Sequence, residues 1–127
     1  MAVTLQTDEG LIRPLEGSTI RRYTAGGTIT AGQPVAMLAA GTIAMADGNS
    51  SDPIADQVIG CALKDAVAGD RVDVVVFGPI SNSTDATPGK IIYISDTAGL
   101  MDESSTSNGV VGWAESAYVI FVRPEKA

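Results

Sequence analysis

Short runs of apolar and β-branched residues recur along the chain, separated by Gly, Pro, Asn, Asp or Ser. No stretch keeps the i, i+3, i+4, i+7 spacing of an amphipathic helix, and 14 glycines and 6 prolines interrupt most candidates. The pattern predicts many short strands, which is typical of an all-β barrel or sandwich. The predicted strands are Thr28–Thr30, Pro34–Ala39, Thr42–Ala46, Val58–Leu63, Arg71–Phe77, Lys90–Ser95, Gly99–Asp102, Val110–Glu115 and Ala117–Arg123.

Residues 1–22 differ from the rest because their apolar side chains follow no clear period. We expect them to form either an edge strand or an extended arm that becomes ordered on a partner. The chain is short enough for one domain, so we divide it into this N-terminal part and a single β-domain over residues 23–127.

An internal repeat organises the β-domain. One copy begins at Thr30 with "TAGQPVAMLAAGTIAMADG" and continues to "VIGCALKDA"; the other begins at Thr87 with "TPGKIIYISDTAGLMDES" and continues to "VVGWAESA". Each has a strand, an Ala-Gly turn, a second strand and a Ser- or Asn-rich loop, and closes on an apolar strand that ends at a proline, "VDVVVFGP" or "YVIFVRP". The half-repeats span about residues 28–79 and 85–124.

Glycines hold matching positions in the two copies. Gly60 and Gly112 lie just inside a strand, where glycine marks a bulge or the close approach of another backbone. Gly32 and Gly89 lie at the turn that precedes a strand. Two such units are expected to close into a small β-barrel or β-clip-like domain.

Charge and composition exclude several classes of protein. Eight basic against 15 acidic residues give a net charge of −7, which does not suit binding to nucleic acid. The chain has no apolar run long enough for a membrane span and no secretory signal, so we expect it to be made in a cytoplasm. Its single cysteine excludes an internal disulfide.

The sequence offers little catalytic chemistry. It contains no histidine, which removes Ser-His-Asp and Cys-His arrangements and most zinc sites. Cys61 stands near Asp65, Asp70 and Asp73, but its counterpart in the second copy is Trp113, which favours a small core residue over a nucleophile. Most of the dispersed aromatic residues are likewise expected in the core. We predict no enzyme, and no catalytic, cofactor-binding or metal-binding residue.

Several motifs in order resemble the capsid cement, or head decoration, proteins of tailed bacteriophages. They are "ITAGQPV", "IGCALKDAVAGDRVDVVVFG", "PGKIIYISDTAGLM" and "GVVGWAESA" followed by "YVIFVRP", and the resemblance covers about residues 26–124. This chain departs from the commonest pattern of that family in its longer N-terminus and in its acidic, Ser-rich loop at residues 102–109.

The resemblance implies a β-domain on the outer surface of the virion capsid that binds the major capsid protein at capsomer junctions and stabilises the head. It also implies a homo-oligomer, a homotrimer before a dimer, made in the cytoplasm of the host bacterium and needing no cofactor, nucleic acid or membrane. An N-terminal arm would contact the capsid through Val3, Leu5, Leu11, Ile12, Arg13 and Leu15. The alternatives are a tail, fibre or baseplate module and a carbohydrate- or small-ligand-binding β-domain.

Overall fold

Ten antiparallel strands form one sheet in the computed structural model, which describes residues 2–49, 57–104 and 108–125. The strands are β1 (Ala2–Val3), β2 (Thr19–Thr24), β3 (Pro34–Met37), β4 (Ile43–Met45), β5 (Val58–Ala62), β6 (Arg71–Ile80), β7 (Ile91–Ile94), β8 (Met101–Asp102), β9 (Val110–Ala114) and β10 (Ile120–Glu125). A three-residue 3-10 helix, Glu9–Leu11, is the one helical element in these ranges. Parts of the two expected Ser-rich loops and of the C-terminus lie outside the described residues.

The repeat predicted from the sequence is present as two four-strand units with the same pairing. In the first unit β3 pairs with β4 and β5, and β5 pairs with β6. In the second, β7 pairs with β8 and β9, and β9 pairs with β10. Even the irregularities match, because the register shifts after Val35 in β3 and after the equivalent Ile92 in β7. The all-β fold class and its internal repeat are therefore confirmed.

The last strands of the two units join them. Ile120 of β10 pairs with Ile80 of β6, and Val122 pairs with Gly78. The sheet then runs outward in both directions and ends at β4 and β1, which do not pair with each other in the described part of the chain. The expectation of a closed barrel is therefore wrong. Besides the seam between β6 and β10, backbone hydrogen bonds from Gly48 to Ser95 and from Gly99 to Ala46 join the two units, but they do not close the sheet.

Gly60 and Gly112 have the role that their sequence positions predicted. A Cβ atom on Gly60 would overlap the carbonyl oxygen of Val75 in β6, and one on Gly112 would overlap that of Phe121 in β10. Only glycine lets the neighbouring strand approach so closely. Both units depend on the same contact between their third and fourth strands.

Two groups of buried aliphatic side chains make the core. The smaller lies within the first unit and contains Val35, Ile43, Ala62 and Val74. The larger contains second-unit residues such as Ile92 and Ile120, and it also takes in side chains from the opposite face of the first unit. The first unit therefore has both faces covered, whereas the outer face of the second unit stays exposed.

The N-terminal part lies along the domain as edge strands and bridges. β1 pairs with β8, Pro14 bridges to Ile80, and β2 pairs with β6 from Thr19 to Thr24. The pairing favours the edge-strand alternative over an extended arm. The sequence pattern did not predict β1 or β2, whereas the strand predicted at residues 28–30 is reduced to one bridge between Ile29 and Ala66.

Candidate interaction surfaces

Cys61 is a core residue. Its side chain is fully buried in β5. Burial raises the pKa of the thiol from its usual 9.0 to about 12, and the neighbouring amide of Asn82 lowers it only in part. Because the thiolate is the nucleophilic form, a thiol held protonated in the core is a poor nucleophile.

The three aspartates that follow Cys61 in sequence do not form a cluster. Asp65 accepts an N–H from Ala31 at 2.8 Å, and Asp70 accepts the N–H three residues before it, which closes a turn. The carboxylate of Asp73 accepts from the Arg22 guanidinium at 2.8 Å, and this bond lowers the pKa of Asp73. Each carboxylate holds a different piece of backbone or a different strand, which is a structural role.

Nothing in the described ranges gathers three or more Cys, Asp or Glu side chains into a metal-binding group. Likewise, no helix within those ranges is long and apolar enough to cross a membrane.

The residues expected in a capsid-binding arm divide into two sets. Val3 and Ile12 are 3% and 5% exposed and belong to the larger core, and Leu5 is half-buried against it. In this conformation their side chains pack inward and present nothing to a partner. In this structure Val3 and Ile12 hold the N-terminal residues against the domain, and their contact with a capsid stays a prediction.

Leu11, Arg13 and Leu15 are exposed, and we call them the N-terminal edge. Leu11 ends the 3-10 helix, and the buried Ile12 separates it from Arg13, Pro14 and Leu15, which are exposed in turn. Ser81 fixes this backbone: its hydroxyl donates to the Leu11 carbonyl at 2.7 Å, and its N–H donates to the Arg13 carbonyl at 3.0 Å. The edge is thus a preformed, largely apolar ridge with one cation.

A second apolar surface crosses β6, β10, β9 and β7 on the outer side of the second unit. We call it the aromatic face, and it consists of Phe77, Phe121, Trp113 and Ile91. The rings of Trp113 and Phe121 stack with centroids 5.3 Å apart, and Phe77 meets Phe121 edge-on at 5.2 Å. Phe77, Ile91 and Trp113 are 47%, 49% and 40% exposed. Both phenylalanines and the sole tryptophan of the chain are here.

Charged side chains border the aromatic face. Arg123 and Glu125 of β10 line a shallow depression of about 130 Å³ together with Ile91, Val110 and Trp113. Within the described ranges, neither charge makes an ion pair with the rest of the chain. The surface therefore presents stacked apolar groups beside one positive and one negative charge.

The expectation that most aromatic residues pack in the core is wrong for these positions. The alternation of residues along β9 and β10 predicts which side chains share a face of the sheet. It does not predict which of the two faces other parts of the chain will cover. The sequence did contain one signal of this difference: at equivalent positions of the two copies the first has the small Cys61 and the second has the large Trp113.

No family model matches this chain, and no curated protein matches its sequence.

Proposed function

We propose that this chain is a bacteriophage capsid decoration protein that binds the outer surface of an assembled head at capsomer junctions and stabilises it. The partner in this proposal is the major capsid protein, and the working form is a homo-oligomer, a trimer before a dimer. The protein would be made in the host cytoplasm and act in the virion.

The observation that carries this proposal is the N-terminal edge. Binding to a preformed shell is favoured by anchors whose backbone is already ordered, because less conformational entropy is then lost on contact. Leu11 and Leu15 are 55% and 39% exposed, yet their backbone is held by hydrogen bonds to residues 79–81. Two apolar anchors on either side of the cation Arg13 suit an apolar groove with an acidic border.

The repetition of sites on a shell adds to such weak contacts. An oligomer that touches several capsomers gains avidity without any further contact on each chain, so a small edge is sufficient. This form of binding needs no catalytic group, cofactor or metal.

Head binding tests the proposal. Heads purified from a phage strain lacking this gene are mixed with the purified protein and pelleted. We expect the wild-type chain to pellet with the heads, and a Leu11→Asp, Leu15→Asp double variant to stay in solution. Val67→Asp is the control, because Val67 is 57% exposed and is not one of the residues of the N-terminal edge. A wild-type chain that leaves the heads bare contradicts the proposal, and pelleting with purified tails supports the tail-module alternative.

A further inference from the structure

The two repeated units contain the same row of cross-strand neighbours. In each row the first, third and fourth strands of the unit contribute one residue, and the three residues lie side by side. The rows are Pro34, Cys61 and Val75 in the first unit and Ile91, Trp113 and Phe121 in the second.

In the first unit this row is covered by the same chain. Cys61 and Val75 are completely buried, and they belong to the larger core together with Ile92, Val111 and Ile120 of the second unit. The second unit thus packs its inner side onto the row of the first. The covering groups are aliphatic side chains that this chain itself supplies.

In the second unit the equivalent row is open. When units are stacked, the outermost one normally has a polar outer face, because nothing covers it. Here Ile91 and Trp113 are about half exposed, and Phe121 stacks on Trp113 with Phe77 beside it. Exposed apolar surfaces of this kind mark contacts with other molecules, and tryptophan and phenylalanine are enriched at such contacts.

We infer that a second copy of this chain covers the aromatic face. In the first unit the equivalent row packs on an apolar surface that the same chain supplies. The border of the face is also compatible with a second copy, since Arg123 and Glu125 carry opposite charges two residues apart. A copy brings the same two signs, so each charge can meet its opposite.

Net charge gives this contact a distinctive salt dependence. Each copy carries −7, so the two copies repel at long range and salt screens that repulsion. Association through an apolar face should therefore strengthen as salt rises. A cationic partner protein would show the opposite trend, because its attraction to an acidic chain is screened.

The inference deepens the homo-oligomer of the proposed function but does not depend on capsid binding, and its test contains no heads. The whole chain is analysed by sedimentation equilibrium at low and high salt and up to high micromolar concentration. The mass should be two or three times the 13.0 kDa of one chain. The mass decides between a dimer, in which two aromatic faces pack on each other, and a trimer, in which each face packs on a different surface of the next copy. In either case the variants described next show whether the aromatic face forms the contact. A chain that stays monomeric at high salt overturns it; the face would then belong to another partner, such as a glycan.

Trp113 reports on the contact directly, since it is the one tryptophan in the chain. As concentration rises, its emission should shift to shorter wavelength and its quenching by acrylamide should fall. Trp113→Lys and Ile91→Lys should each give monomers with an unchanged circular dichroism spectrum, whereas Val67→Lys should associate like the wild type. Unchanged quenching despite a growing mass, or a Trp113→Lys variant that keeps the wild-type mass, would place the contact elsewhere.

Discussion

Cys61 and Trp113 occupy the same position in the two repeated units, but Cys61 is completely buried whereas Trp113 is 40% exposed. Each lies between the first and fourth strands of its unit, next to Val75 or Phe121. The difference arises because the second unit packs on the row that contains Cys61, whereas nothing in the described part of the chain packs on the row that contains Trp113.

Burial of Cys61 predicts a loss of stability at alkaline pH. The thiol has a higher pKa in the folded chain, about 12 against 9.0, so the folded state keeps a proton that the unfolded state releases. Stability from this group is complete below pH 9 and is lost as the pH rises toward 12, by about 1.4 kcal/mol for each pH unit. Urea unfolding at about pH 8 and about pH 11 measures it. Cys61→Ala should show a smaller loss between the two, and an identical loss contradicts the assignment.

Gly112→Ala and Gly60→Ala should both destabilise the fold. Each new methyl group would overlap a carbonyl oxygen of the adjacent strand, Phe121 or Val75, and the strands must separate to admit it. We expect a loss of about 1–3 kcal/mol in the free energy of unfolding for each variant. Gly27→Ala is the control, because a Cβ there meets no atom within 4 Å. Equal stability of all three variants would show that the close approach is unimportant.

Ile12→Ala separates the two roles of the N-terminal residues. Ile12 is 5% exposed in the larger core, so its truncation should cost about 2–5 kcal/mol of unfolding free energy. Leu11→Ala, at the exposed neighbouring position, should change stability by no more than about 0.5 kcal/mol. Denaturant titration followed by circular dichroism measures both. Removal of residues 1–16 should likewise destabilise the domain, and a deletion variant of wild-type stability would mean that the segment is a detachable arm.

Asn82→Ala tests a buried polar contact. The Asn82 side chain is fully buried, and its Nδ2 donates to the Gly32 carbonyl oxygen at 2.9 Å. Its loss leaves that buried carbonyl without the bond, which should cost about 1–3 kcal/mol in unfolding free energy. The exposed Asn49 provides the matched control, Asn49→Ala. Similar stability of the two variants would argue against a structural role for Asn82.

The strands and the repeat could be predicted because turns and apolar runs are local features. Gly60 and Gly112, for example, lie in matching sequences and make matching contacts. β2 was missed because four of its six side chains are exposed, so hydrogen bonding to β6, and not a hydrophobic period, holds it in place.

The aromatic face could not be predicted, because the covering of a strand depends on how the two units stack. The position of Trp113 in the sequence fixes its side of β9, whether that side is buried or exposed. The burial of Val3 and Ile12 could not be predicted for a similar reason. Their side chains reach the core because the N-terminal residues pair with β8 and with β6, which are distant in sequence.

Electron microscopy of phage particles labelled with antibody against this chain tests capsid decoration most directly. The proposed function predicts gold label distributed over the outside of the heads, and no label on heads from a strain in which the gene is deleted. Label confined to tails or baseplates, or particles that carry none, would contradict it.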